Sequence, residues 1–241
     1  MSSITKGVVL AGGEGKRLWP VTLEIPKPLI TIRKTPLINY NLALFEKFGV
    51  KDVKVVIRPE HRDDFARWLG EYERTFASMK VEILEEPEPM GTLGYLYHRL
   101  RDWMDGENIY VTNGDDIKNV DLAAMVDFHS RVGVPATVAL IEDTERTDGG
   151  AVLVVEDKIS AFMEKFAAGD SKLISAGMYI LSSAALDAIR NTELHEKKHL
   201  MFETDLFPLL ARVGNLGGFI YEGTLYDCGT FERWHRAIRE A

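Results

Sequence analysis

The chain has 241 residues, 46% of them hydrophobic and 27% charged, long enough for one large α/β domain or two small ones, of which one is favoured. Its formal net charge of −8 argues against a general nucleic-acid or anionic-membrane surface, so any cationic site must be local or supplemented by a metal ion. The single cysteine, Cys228, excludes an internal disulfide, no apolar run approaches the roughly 18 residues of a membrane span, and "MSSITK" is no signal sequence, so a cytoplasmic protein is expected.

Along the chain, β-branched runs alternate with amphipathic helical patterns. "GVVLAG" precedes "TPLINYNLALFEKFG", "VKVVIRP" precedes "HRDDFARWLGEYERTF", "VEILEE" precedes "GTLGYLYHRLRDWM", and "NIYVTNGD" precedes "DLAAMVDFHSRVG". Leu37, Tyr40, Leu44 and Phe48 recur at helical spacing, while Val53, Val55 and Val56 read as a buried strand. Such a βαβ series predicts a predominantly parallel sheet whose ligands sit at the carboxyl ends of the strands. After Val134 come the strand-like stretches "ATVALIED", "AVLVVEDKISAFMEKF" and "KLISAGMYILS", with helices near 183 to 190, 203 to 213 and 230 to 240. No linker or internal repeat interrupts them. The expectation is a single domain over 1–241, a Rossmann-like three-layer α/β/α sandwich with a mixed, mostly parallel central sheet.

Three places carry chemistry. "LAGGEGKRLWPVTLEIPKPLI", residues 10 to 30, follows the first strand, and its Gly12, Gly13 and Gly15 let backbone N–H groups approach a ligand. Lys16, Arg17 and Lys27 make a polyanion such as a chain of phosphates the natural guest. It is not a Walker loop, because Leu10 stands at the first glycine position and Arg17 at the hydroxyl. Nor is it a dinucleotide fingerprint, because Leu18 replaces the third glycine. A surface turn with solvated charges is the plainer reading. The second place is "TNGDD", residues 112 to 116, where Asp115 at a strand's carboxyl end offers the hard oxygen that Mg²⁺ uses when it also holds phosphates. An Asx turn accounts for the same residues. The third is "GTLYDCGTFERW", residues 223 to 234, where Asp227 either caps the last helix or completes a metal pair with Asp115. Two carboxylates converging on one metal account for both places together.

With these residues in view, the chain resembles the sugar-1-phosphate nucleotidylyltransferases, and among them the short catalytic domains like mannose-1-phosphate guanylyltransferase, almost from end to end. "LAGGEGKRLWPVT" is similar to the signature loop, "PKPLI" to the lysine segment, "EEPEPMGTLGYL" to the base-recognition stretch and "NGDD" to the metal aspartate. "GGAVLVVEDKISAFMEKF" resembles the sugar region ending in Glu-Lys, "ISAGMYIL" the Asn-Ala-Gly strand, and "FETDLFP" and "YDCGTFERW" the closing motifs. The resemblance implies transfer of a nucleotidyl group from a nucleoside triphosphate to a sugar 1-phosphate, with release of pyrophosphate. Residues 1–133 would form the nucleotide-binding half and 134–241 the sugar-phosphate half, with no C-terminal β-helix domain.

It also implies roles. Arg17 would hold the departing phosphates and Lys27 the α-phosphate, with Asp115 and Asp227 holding Mg²⁺. Leu10, Ala11, Gly12, Gly13, Arg17, Glu86, Gly91 and Thr92 would line the nucleotide; Gly150, Glu164, Lys165 and Gly177 the sugar phosphate. A Gly91 N–H would donate to a carbonyl of the base while the Glu86 carboxylate can only accept. That arrangement rejects adenine and cytosine and ranks GTP first, then UTP and dTTP. The same reaction with UTP or dTTP, and a non-catalytic sugar-nucleotide sensor, are the alternatives; homo-oligomerisation is left open. Lys16, Gly149, Phe166 and Ser175 depart from the family pattern, three of them on the sugar side, so the sugar is not specified. "HEKKH", residues 195 to 199, matches H-E-x-x-H but lies in a polar stretch and reads as an exposed loop, and Cys228 reads as packing.

Overall fold

The computed structural model describes residues 4–73, 78–143, 151–163 and 173–241. These form two compact units that interleave along the chain: one comprises Thr5–Pro89, Val111–Asn119 and Thr224–Ala241, the other chiefly Met90–Tyr110 and Val120–Gly223. The expected division at 133/134 separates binding roles and is of another kind from these packing units.

In the first unit, strand Lys6–Leu10 pairs in parallel with Asp52–Ile57, which pairs in parallel with Lys80–Glu85. Consecutive valines make the first two of these strands largely apolar on both faces, as parallel strands are, and Val8, Val9, Val53 and Val55 are buried. Strand Ile109–Asn113 lies next to Lys6–Leu10, its last three residues belonging to this unit. Helix Leu37–Lys47 buries Leu37, Ile38, Leu42 and Phe45, the one-sided pattern that a helical period produces. Two short strands, Asp116–Lys118 and Leu225–Asp227, pair antiparallel into a separate ribbon.

In the second unit, strand Leu173–Leu181 pairs antiparallel with Ala136–Glu142, and Leu216–Ile220 pairs with Ala136–Glu142 in parallel. Lys158–Met163 then pairs antiparallel with Leu216–Ile220 and with Ala151–Val155. The fold is thus α/β with a mixed sheet, but parallel pairing dominates only in the first unit; the expected mostly parallel character does not extend to the second. One cause is local. The stretch "AVLVVEDKISAFMEKF" reads as a single strand, yet Glu156 and Asp157 both take positive φ (48° and 68°), which folds its described part into a hairpin. Helix Leu122–Val132 begins at Asp121, whose carboxylate accepts from the N–H groups of Ala123 and Ala124, and ends at left-handed Gly133. Helices Ser183–Arg190 and Phe231–Glu240 stand where the periodicity predicts them. Among the described residues, no helix is long and apolar enough to cross a membrane.

Candidate active site

The cationic and acidic candidates of the first unit are anchored by one apolar cluster. Leu18, Ile30, Ile32, Leu37, Ile117, Cys228 and Ala237 pack together and are buried. Each charged segment contributes to it: Leu18 follows Arg17, Ile30 ends the turn that starts at Lys27, Ile117 lies two residues after Asp115, and Cys228 follows Asp227. Burial of this small cluster holds four sequence-distant segments together and leaves their polar neighbours at one place. Cys228 is packing, as the sequence indicates; burial pushes its thiol up to about 12, with Lys27 opposing.

Lys27 is the centre. Its side chain is mostly buried, and Nζ lies 2.7 Å from Asp115 Oδ2 and 3.9 Å from Asp227 Oδ1. Two carboxylates, one from the middle of the chain and one from near its end, therefore face one cation. Asp227 Oδ1 also accepts from the Gly229 N–H at 2.7 Å, and Oδ2 from Arg233 Nη1 at 2.9 Å. Arg17 is close by: a Cβ added at Gly229 would lie 2.6 Å from Arg17 Nη2 and 2.7 Å from Asp227 Oδ1. Only a residue without a side chain lets the 227–229 turn pass the guanidinium at this range. Arg17, Lys27, Asp115 and Asp227 thus meet, although 10 to 210 residues separate them along the chain. Arg233 is a participant that the sequence reading missed; its place on a final amphipathic helix disguises it as a solvated charge.

The glycine loop closes around this cluster. Thr22 Oγ1 donates to the Gly15 carbonyl at 2.9 Å, and a Cβ at Gly15, where φ is +63°, would lie 3.3 Å from Lys27 Cβ. Gly114 N–H donates to the Leu10 carbonyl at 2.9 Å, and Ala11 N–H to the Val56 carbonyl at 2.8 Å, which fixes Leu10 and Ala11 at the carboxyl ends of the parallel strands. Glu86 is buried, and its Oε2 would lie 3.3 Å from a Cβ at Gly12. Gly13 has open space beside it. Arg58, at the end of strand Asp52–Ile57, adds a cation to this rim that the sequence reading did not single out, with Nη1 3.5 Å from Glu14 Oε1 and Nη2 2.7 Å from Glu60 Oε1.

Beneath Asp115 lies a second acid. Asp116 is buried, and burial pushes its carboxyl up to about 7, with Lys118 pulling it back and Asp115 adding to the rise. Among the described residues, no group of three or more His, Cys, Asp or Glu side chains could hold a metal ion. Asp115 and Asp227 nevertheless suit Mg²⁺, which is bound by one or two carboxylates together with substrate phosphates and water. Both are hard oxygen donors already turned towards a common cation.

The other unit carries Gly91, Thr92 and Gly177. Gly91 takes φ +77°, and a Cβ there would stand 2.4 Å from the Leu200 carbonyl oxygen. Thr92 Oγ1 accepts from Phe202 N–H at 3.0 Å and donates to Glu203 Oε2 at 3.3 Å, while Tyr179 OH donates to Glu203 Oε1 at 3.4 Å. This ties the "GTLG" turn to "FETDLFP" and to strand Leu173–Leu181. Gly177 takes φ +63° where that strand's pairing is interrupted, and its N–H is 3.2 Å from Ser175 Oγ. Gly150, Glu164 and Lys165 lie outside the described residues, as do the departures Gly149 and Phe166. His195, the first histidine of "HEKKH", stands in a short turn, Glu193–Glu196, with Nδ1 2.8 Å from Tyr97 OH, and residues 195 to 199 are exposed.

Residues 6–241 match the nucleotidyl transferase family. The chain is 31% identical over 230 residues to mannose-1-phosphate guanylyltransferase 1 of Arabidopsis thaliana, and 32% identical over 232 residues to mannose-1-phosphate guanyltransferase of Debaryomyces hansenii. Each comparison covers 93% of this chain and 61% of the relative, so the chain spans about three-fifths of their length. The crystal structure of HddC from Yersinia pseudotuberculosis superposes with a TM-score of 0.80 at 24% identity, covering 98% of this chain and 99% of that one.

Proposed function

The chain belongs to the nucleotidyl transferase family, and from that premise we propose that it transfers a guanylyl group from GTP to mannose 1-phosphate, giving GDP-mannose and pyrophosphate. The observation that carries the reaction is the convergence of Lys27 on Asp115 and Asp227, with Arg17 against the same turn. Polyanion chemistry needs fixed cations and paired carboxylates at one point, and a surface turn would supply neither. The names of the relatives support the donor and the sugar.

The acceptor's phosphate oxygen attacks the α-phosphorus, and the bond from that phosphorus to the bridging oxygen breaks, so pyrophosphate leaves with the electron pair. That oxygen is already ionised near neutral pH, and no general base is required. Lys27 neutralises charge gathering on the α-phosphate, and Arg17 holds the departing phosphates. Catalysis of this kind is mostly positioning and electrostatics. Asp115 and Asp227 would hold Mg²⁺, which would supply charge neutralisation on the phosphates. Glu86 reads the base beside the glycine loop, Gly91 and Thr92 complete the base stretch, and Gly150, Glu164, Lys165 and Gly177 serve the sugar phosphate. All substrates are small water-soluble molecules, consistent with a cytoplasmic enzyme.

The test is a pyrophosphate-release assay of GTP, UTP, dTTP, ATP and CTP against a panel of sugar 1-phosphates, with and without Mg²⁺. Strongest turnover with GTP and mannose 1-phosphate is expected. Turnover with another sugar or nucleotide corrects the substrate, and no pyrophosphate from any pair overturns the reaction.

A further inference from the structure

Lys118 stands out because its side chain is completely buried next to the carboxylate pair without belonging to it. A lysine ammonium loses strong hydration when buried, and an apolar residue of similar volume costs less at such a place. The surroundings use all three of its donors. Nζ donates to Thr112 Oγ1 at 2.8 Å, to Asn41 Oδ1 at 3.2 Å and to the Asn113 carbonyl at 3.5 Å, and stands 2.5 Å from Asp116 Oδ1 as a charge contact without hydrogen-bond alignment. Asn41 Nδ2 in turn donates to the Asp116 backbone carbonyl at 2.9 Å, and Thr112 Oγ1 to Asn41 Oδ1 at 3.1 Å.

The topology gives this network its consequence. Thr112 lies on strand Ile109–Asn113, before the Gly114-Asp115 tip; Asp116 and Lys118 lie after it, on the ribbon strand Asp116–Lys118. The network therefore grips both flanks of the tip that presents Asp115. It also reaches the other acid, because Asp116 is the register partner of Asp227, Ile117 of Tyr226 and Lys118 of Leu225. Asn41 fastens the whole to helix Leu37–Lys47.

We propose that Lys118 is the positioning residue of the carboxylate pair: with Asn41, Thr112 and Asp116 it sets the distance between Asp115 and Asp227, and hence the affinity for the metal–nucleotide complex. This rests on the reading of that pair as the metal-holding carboxylates. It assigns Lys118 no contact with substrate.

The experiment compares binding of Mn²⁺–GTP, followed by electron paramagnetic resonance, with binding of metal-free GTP in excess chelator. Wild type binds the metal complex more tightly. The paired replacement Asp116→Asn with Lys118→Met removes both charges and nearly keeps their volume. It is expected to fold cooperatively, to bind metal-free GTP as wild type does, and to lose the metal advantage by about tenfold or more, the range by which groups supporting metal ligands act. Thr112→Val, which removes one partner of Lys118, loses part of that advantage, and Thr112→Ser retains it. Should the paired replacement fail to fold, the Thr112 variants decide. A folded paired variant with the wild-type advantage, or Thr112→Val indistinguishable from Thr112→Ser, overturns the positioning role alone. A wild type without any metal advantage overturns the metal reading of Asp115 and Asp227, and the positioning role with it.

Discussion

Asp227 lies directly opposite Asp116 in a two-stranded antiparallel ribbon, one residue along from Asp115. A pairing of only three residues thereby brings the end of the chain to its middle. It also explains why neither aspartate identifies itself alone: each ends a turn, and their meaning lies in the register between them.

Replacing Asp227 by Asn tests that meaning. The new amide keeps an acceptor for the Gly229 N–H, but it sets an N–H₂ group against Arg233 and removes the charge facing Lys27. Metal charge stabilisation is worth several kcal/mol, so pyrophosphate release should fall by about two to three orders of magnitude. In excess chelator the variant and wild type should have the same residual rate. Near wild-type turnover at saturating substrate would make Asp227 a turn residue.

Gly229→Ala probes the contact of Arg17 with Asp227 without replacing either. The added methyl carbon would stand 2.6 Å from Arg17 Nη2 and 2.7 Å from Asp227 Oδ1, both side-chain ends, so these groups move and the fold survives. The expected outcome is a lower kcat with an unfolding midpoint close to wild type. An unchanged kcat would show that neither Arg17 nor Asp227 needs its present place.

Gly91→Ala should act the other way. Its methyl carbon would stand 2.4 Å from the Leu200 carbonyl oxygen, which is backbone and cannot swing aside, and φ is +77°. A left-handed alanine and the displaced segment together cost about 2–4 kcal/mol. Chemical denaturation should show that loss, and a stability within 0.5 kcal/mol or so of wild type would mean that the turn repacks freely.

Sequence legibility follows the range of the forces involved. The glycine loop, its cations and the βαβ series are local patterns: Gly12, Arg17 and Val53 announce themselves through spacing. The hairpin at Glu156 and Asp157 does not, because two acidic residues at positive φ lack the usual Asn-Gly signature. Lys118, Asn41 and Arg233 were illegible for a different reason. A lysine on a short strand or an arginine on an amphipathic helix looks solvated until the fold shows what covers it, and only long-range packing does so. Cys228 shows the reverse case, since the family resemblance, which puts an aliphatic residue at this position, already reads it as packing.

Cys228 also provides a pH test. Its ordinary value is 9.0 and burial raises it to about 12 in the folded chain. The unfolded thiol therefore ionises first as pH rises, so the folded state loses stability between about pH 9 and 12 and gains nothing from this group below 9. Cys228→Ala should flatten the fall in unfolding free energy over that interval. The native thiol should resist alkylation at pH 8 and react fully in denaturant; rapid native labelling would contradict the burial.

Glu86 bears on the choice of base. The carboxylate is buried next to Gly12, and an ionised carboxylate accepts but cannot donate. Guanine presents two donors, N1–H and N2–H₂, to its two oxygens, whereas uracil and thymine present N3–H alone. Adenine N1 and cytosine N3 would set acceptor against acceptor, so ATP and CTP should be rejected strongly. Glu86→Gln keeps one acceptor for a pyrimidine and loses the charged two-point contact, which should cost GTP about 1.5–3 kcal/mol in kcat/KM and UTP less. Steady-state kinetics with both nucleotides measures the difference. Equal losses for GTP and UTP, or a wild-type preference for UTP or dTTP beyond about tenfold, roughly 1.4 kcal/mol, would remove Glu86 from base recognition.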